Sequence, residues 1–232
     1  MTTTADAEVH MQERDFVMVE RPFADEPTDQ LHKLSCYVDN LSDEMKGISL
    51  DIHDHPELQY KEFLAHQILT NYLGAQPGWA VTASAYGIST AFVAVFDSKK
   101  PGPTVSLNAE YDKLAVYSPS KNRSTLISPQ DALLGIGHAC GHNLICVASL
   151  AAALASAHYI KCEDLSGKVS EDNGVQLGGP HTPDFEKAAR TEEAHTLAMR
   201  VAKALAATAI DMLTRPELLA AAKAEFGQLG KQ

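Results

Sequence analysis

The sequence predicts an α/β layered domain, and three observations predict it. Helical spacing opens the chain, three short β-like runs follow, and helical spacing returns to close it. Hydrophobic residues make up 45% and charged residues 21% of 232 positions, enough apolar material to bury a sizeable core. Alanine is abundant in the last helices, which favours helix intrinsically and lets helices approach closely.

Each element follows from local pattern. From Leu31 to Ile52 the apolar residues Leu31, Leu34, Cys36, Val38, Leu41, Met45, Ile48, Leu50 and Ile52 recur at helical spacing, with Thr28 placed to cap the start. DIHDHPEL (51–58) ends this helix, because Pro56 disfavours helical backbone at His55. A second helix is expected from Tyr60 to Leu73, with Phe63, Leu64, Ile68, Leu69 and Leu73 inward and GAQPG (74–78) as its turn. WAVTAS (79–84), STAFVAVF (89–96) and TVSLNAEY (104–111) read as strands, the last two separated by KKPGP (99–103) as a hairpin or loop. Helices are expected over 141–160 and 192–214, then over 216–226 with Pro216 in its first turn, where a missing N–H costs nothing. Residues 113–131 and 166–184 carry turn formers without a clear period and read as long loops, which in a compact domain require a reason.

Charge and cysteine content exclude several classes. Lys+Arg is 19 and Asp+Glu is 30, a net charge of -11, so binding to nucleic-acid phosphates is not expected. Residues 1–29 concentrate the acids Asp6, Glu8, Glu13, Asp15, Glu20, Asp25, Glu26 and Asp29, and read as a solvated, disordered acidic tail. No run of 18 continuous apolar residues exists, and the first residues lack the apolar core of a secretory signal, so no membrane span and a cytoplasmic location are expected. Four cysteines (Cys36, Cys140, Cys146, Cys162) do not make a disulfide framework and suit a reducing compartment.

The strongest local signal for chemistry is GIGHACGHN (135–143), which offers His138, Cys140 and His142 at the entry to an Ala-rich helix. Thiolate and imidazole together suit Zn²⁺, and flanking glycines let the backbone come close to an ion. The same residues also read as a glycine-rich helix entry with a buried Cys. His53, Asp54 and His55 read as capping and polar packing at a helix end. EYD (110–112) closes a strand, where α/β sites are built, and HTPDF (181–185) puts a lone His before a proline turn. In TEEAH (191–195), Thr191 reads as a helix cap with two acids in the first turn, ahead of a catalytic carboxylate pair.

In order along the chain, HDHPELQYKEFLAHQILTNYL, AYGISTAF, EYD, ALLGIGHACGHNLI, GPHTPDF and TEEAHTLAMRVAKALAATAIDMLTRPELLAAAKAEF resemble the metallopeptidases of family M-twenty. The resemblance is to its amidohydrolase-like, dipeptidase-like branch and covers roughly 30–112, 132–169 and 179–226. It implies a zinc-exopeptidase-like three-layer α/β domain, a mixed sheet with flanking helices, that carries an inserted lid or dimerisation domain in relatives. It implies hydrolysis of an amide or peptide bond in a small dipeptide or N-acyl amino-acid substrate with one or two Zn²⁺ or Mn²⁺ ions. Matched by motif, Cys140, His142 and His181 correspond to metal ligands, and Asp112 to the acid that orients the site.

The departures from the family pattern are two. Nineteen residues, 113–131, stand between EYD and ALLGIGHACGHN, and removing them restores the family's continuous motif. A retained short intron accounts for this, and sequencing mature transcripts across the junction tests it. After LSGKV (165–169) the chain reaches GPHTPDF within about ten residues, whereas relatives continue into a motif that supplies the general-base Glu and a ligand Glu, then a further His and the lid. The resemblance therefore implies one incomplete catalytic domain over 30–226, a short tail over 227–232, no general base, impaired turnover and no assigned homo-oligomer. The alternative is a catalytically inactive remnant that binds a metal or a partner.

Overall fold

The computed structural model describes residues 28–112, 114–115, 136–137, 141–172 and 187–229. Nearly all of the acidic tail, most of the 113–131 insert and the 173–186 stretch lie outside the described residues.

Helix α1 (Asp29–Asp54) begins where the Thr28 hydroxyl accepts the Leu31 N–H at 3.3 Å. It buries Leu34, Val38, Met45, Ile48 and Ile52, as the spacing predicts, and stops short of Pro56. Helix α2 (Phe63–Gly74) starts three residues later than the pattern suggests, because Tyr60 takes left-handed backbone (φ 64°). The Glu57 carboxylate accepts the amides of Leu64 and Ala65, each at 2.9 Å, so orphan donors of the first turn are satisfied from seven and eight residues away.

Strands β1 (Trp79–Ala83), β2 (Phe92–Asp97), β3 (Thr104–Asn108) and β6 (Lys168–Asp172) form a sheet in the order β1-β2-β6-β3. The mixed sheet with flanking helices is thus present. One local expectation is narrowed and one is corrected. Of the hairpin or loop expected at KKPGP the structure has the loop, because β6 inserts between β2 and β3, antiparallel to the first and parallel to the second. Residues 168–172, read as loop, are the strand that does this. Their backbone groups find partners on both sides, which outweighs a polar, charged local sequence. Entry of β6 depends on glycine. Gly167 has φ 125°, and a Cβ there would stand 2.8 Å from the Leu213 side chain and 3.1 Å from the Pro103 carbonyl.

A two-residue ribbon pairs β4 (Leu114–Ala115) with β5 (Ile136–Gly137). Helix α3 (His142–Cys162) follows, then α4 (Glu192–Thr214) and α5 (Pro216–Leu229). Thr191 caps α4 by accepting the Ala194 N–H at 3.2 Å, the structural role its sequence suggests.

Phe92, Ala94 and Phe96 of β2 are buried on the face that meets the helices, while Val93, Val95 and Asp97 are half-buried. Helix α3 packs against β3 and β6 and is embraced on its outer side by α1 and α4. Its small residues Ala148, Ala151, Ala152, Ala153, Ala155 and Ala157 are all buried. A helix apolar on every side belongs in a core. Helix α3 is also long and apolar enough to cross a membrane, yet 78% of its most apolar window is buried inside the protein.

Candidate active site at the start of helix α3

The end of β3 and the start of α3 meet. Gly141 caps α3 in left-handed backbone (φ 71°), which lets the chain turn sharply into the helix and present His142 at its first position. His142 is 8% exposed. Its Nδ1 lies 2.8 Å from the Asp112 carbonyl and 2.8 Å from Asp112 Oδ1. A carbonyl only accepts, so Nδ1 carries the proton and donates it to Asp112. The other nitrogen, Nε2, faces Glu110 Oε2 at 3.6 Å.

Glu110 is 2% exposed, and its Oε1 accepts from Asn108 Nδ2 at 3.0 Å. Its Oε2 has no hydrogen-bond partner. Burial raises the Glu110 carboxyl above its ordinary range, and Asp112 adds to this while His142 offsets it. For His142, burial opposes the charged ring, but the hydrogen bond and charge of Asp112, with the charge of Glu110, prevail and hold it above the ordinary imidazole value. The next residue anchors the corner. Asn143 is fully buried, and its Nδ2 donates to Ser49 Oγ at 2.9 Å and to the Ala189 carbonyl at 3.1 Å, which ties α3 to α1 and to the approach to α4.

This arrangement suits a cation ligand. A metal-bound imidazole gives its second N–H to a carboxylate or carbonyl, and Asp112 offers both to His142. Nε2 is then the available lone pair, with a buried, unsatisfied carboxylate oxygen beside it. Asp112 and Glu110 sit on opposite nitrogens of one ring, and among the described residues no three His, Cys, Asp or Glu side chains converge as a metal cluster. His138, Cys140 and His181 lie outside the described residues.

The structure joins two sequence-predicted site residues, Asp112 and His142, and adds Glu110 and Asn143. Glu110 had a usable signal, since residues two apart in extended chain share a side and Glu110 and Asp112 both reach His142. The His53–Asp54–His55 run behaves as polar packing: His55 Nδ1 donates to the Asp51 carbonyl at 2.9 Å, and Arg190 pairs with Asp54 at 2.8 Å. Cys146 is a buried core thiol, pushed well up by burial and then by the charge of Glu171.

Among proteins of known name, 132 residues of this chain are 34% identical to the human Xaa-Arg dipeptidase, which is 54% of this chain and 26% of that protein. Over 124 residues it is 35% identical to a p-aminobenzoyl-glutamate hydrolase polypeptide of Escherichia coli, 53% of this chain and 24% of that one. Over 160 residues it is 32% identical to thermostable carboxypeptidase 2 of Saccharolobus solfataricus, 65% of this chain and 37% of that one. These matches make the chain similar, over about half to two thirds of its length, to peptidases and amidohydrolases. It spans about a quarter of the length of the first two relatives. No protein-family model matches it. Among solved structures it is similar to a dinuclear metal-binding M-twenty peptidase of Bacillus subtilis, at TM-score 0.43 and 19% identity over 58% of this chain and 35% of that one. It is also similar to an aminobenzoyl-glutamate utilization protein of Klebsiella pneumoniae, at TM-score 0.41 and 18% identity over 68% of this chain and 42% of that one.

Proposed function

We propose that this chain carries the metal-holding part of an M-twenty hydrolase that cleaves amide or peptide bonds in small substrates, dipeptides or N-acyl amino acids, in the cytoplasm. The catalytic domain spans 30–226 and lacks the inserted lid. Cys140, His142 and His181 hold the ion, Zn²⁺ or Mn²⁺, and Asp112 orients His142. A bound ion of this kind supplies Lewis acidity toward the scissile carbonyl.

The chain's own residues prepare the site. Asp112 fixes the ring and its tautomer, so that Nε2 is presented as a lone pair rather than an N–H. Glu110 places negative charge beside that nitrogen, which favours a cation there. Asn143 fixes the backbone that carries His142. The observation that carries the reading is the Asp112–His142 pair, formed by the two motif residues that the family resemblance singles out.

A second reading, a non-catalytic metal-binding remnant, is favoured by one observation: no AEE sequence stands anywhere in the chain to supply the general base, an effect worth typically 10²–10⁴-fold in rate. One experiment separates them. Purified protein is assayed for metal content and for hydrolysis of a dipeptide panel and p-aminobenzoyl-glutamate, beside Cys140→Ala and His142→Ala. Metal-dependent turnover lost in both variants supports the hydrolase. Stoichiometric metal without turnover supports the remnant, and no metal at all overturns both.

A further inference from the structure

At the far end of α3, away from the site above, a groove of about 400 Å³ runs between α1 and α3. Four of its lining residues are His32 and Cys36 on α1, and His158 and Cys162 on α3. Each helix contributes one histidine and one cysteine four residues apart, the spacing that puts two side chains on one helix face. The same spacing serves paired ligands on a single helix in zinc enzymes.

The donor separation within each pair is close to that of a chelate. Cys36 Sγ lies 3.7 Å from His32 Nε2 and 4.0 Å from its Nδ1, and Cys162 Sγ lies 3.4 Å from His158 Nε2. Zinc–sulfur and zinc–nitrogen bonds of about 2.3 and 2.0–2.1 Å in a tetrahedron put the two donors about 3.6 Å apart. Taken singly, a thiol beside an imidazole on an exposed helix is an ordinary weak hydrogen bond. Two such pairs lining one groove from two helices make a Cys₂His₂ donor set, the full complement of a structural zinc site.

The helices are held in facing register around the groove. The Tyr37 ring stacks on His158 with centroids 4.0 Å apart. Lys33, the cation in the groove, is paired with Asp29 and Glu163, both at 2.7 Å, so its charge is already met. Cys36 and Cys162 are exposed, unlike Cys146. The two pairs are not closed on one another, since no three donors converge among the described residues.

We infer that this groove is a second, structural metal site, independent of the proposed hydrolase, in which His32, Cys36, His158 and Cys162 take one Zn²⁺ and cross-brace the start of α1 to the end of α3. The test is peptide-resolved alkylation of the full chain with and without equimolar Zn²⁺, which scores Cys36, Cys162, Cys140 and Cys146 separately. Zinc is expected to slow labelling of Cys36 and Cys162 together, at least about tenfold, because thiolate engaged by metal is withdrawn from reaction. In Cys36→Ser the protection of Cys162 is expected to vanish, and in His158→Ala that of both, while buried Cys146 stays unlabelled as a check on folding. Protection of one thiol alone, protection that survives His158→Ala, or no protection overturns the inference. Because Cys36 and Cys162 lie on peptides separate from Cys140, loss of metal from the α3 N-terminal site leaves this result intact.

Discussion

The two ends of helix α3 use polar residues in opposite ways. At its start, His142 and Asn143 are buried, and their donors are directed to Asp112, Ser49 and the Ala189 carbonyl. At its finish, His158 and Cys162 sit at the surface and lean on one another. Buried polar groups need fixed partners, because an unmet one costs about 1–3 kcal/mol. Exposed groups have water as an alternative and keep their rotational freedom. The first end is therefore preorganised, the second adaptable, and an alanine-lined, fully buried middle separates them.

The contrast is sharpened most by striking the middle. Leu150 is fully buried, so Leu150→Ala is expected to cost about 2–5 kcal/mol in urea unfolding. Cys162→Ser, at the exposed end, is expected to stay within about 0.5 kcal/mol. Equal losses would erase the distinction between core and rim.

Asn143→Ala removes both hydrogen bonds at the buried end and is expected to cost about 1–3 kcal/mol. A cost within a few tenths would show that the corner is held by packing alone. Asp112→Asn is expected to weaken Zn²⁺ binding at the α3 start by about 10–100-fold in a competition titration, because the imidazole loses its charged orienter. Protection of Cys36 by zinc should not change in that variant.

A smaller effect is expected with pH. His195 of α4 is 5% exposed, with Nε2 3.1 Å from Ser42 Oγ. Burial lowers it first, and Lys46 adds to this; Ser42, Glu192 and Asp43 pull the other way without restoring it. A folded value below the unfolded one, about 6.5, means the unfolded chain binds more protons. Stability is therefore full above that value and declines as pH falls below it, until the folded ring also titrates. His158, lowered chiefly by burial, acts in the same sense. Comparing urea unfolding at pH 7.5 and 5.5, His195→Gln should narrow the difference between the two; an unchanged difference would remove His195 as its source. The smallest effect is expected for Lys33→Met, whose surface pairs with Asp29 and Glu163 should leave the urea midpoint unchanged within error.

The helices were legible because their signals are local. The cap at Thr28, the stop before Pro56 and the full extent of Glu192–Thr214 follow from spacing and capping residues. What was not legible depends on distant partners. KVSED becomes a strand by filling the gap between β2 and β3, and the start of α2 is set by left-handed Tyr60 and by Glu57 reaching forward to the first-turn amides. In the candidate site, Asp112 and His142 were visible as motif residues and Glu110 by its place two residues before Asp112, whereas the burial that leaves Glu110 unsatisfied is not reported by a linear pattern.

The late arrival of β6 has a consequence for biosynthesis. Among the described residues, β3 has β6 as its sole hydrogen-bonded neighbour, and β2 meets β3 only through it. β2 can pair with β1 at once, but in a growing polypeptide the edges of β2 and β3 that face each other across β6 stay unpaired until residue 172 is out, about sixty residues after β3 is complete. Any translational pause or cleavage in that interval exposes two adhesive edges, so proteostasis factors would meet this protein first at β2 and β3.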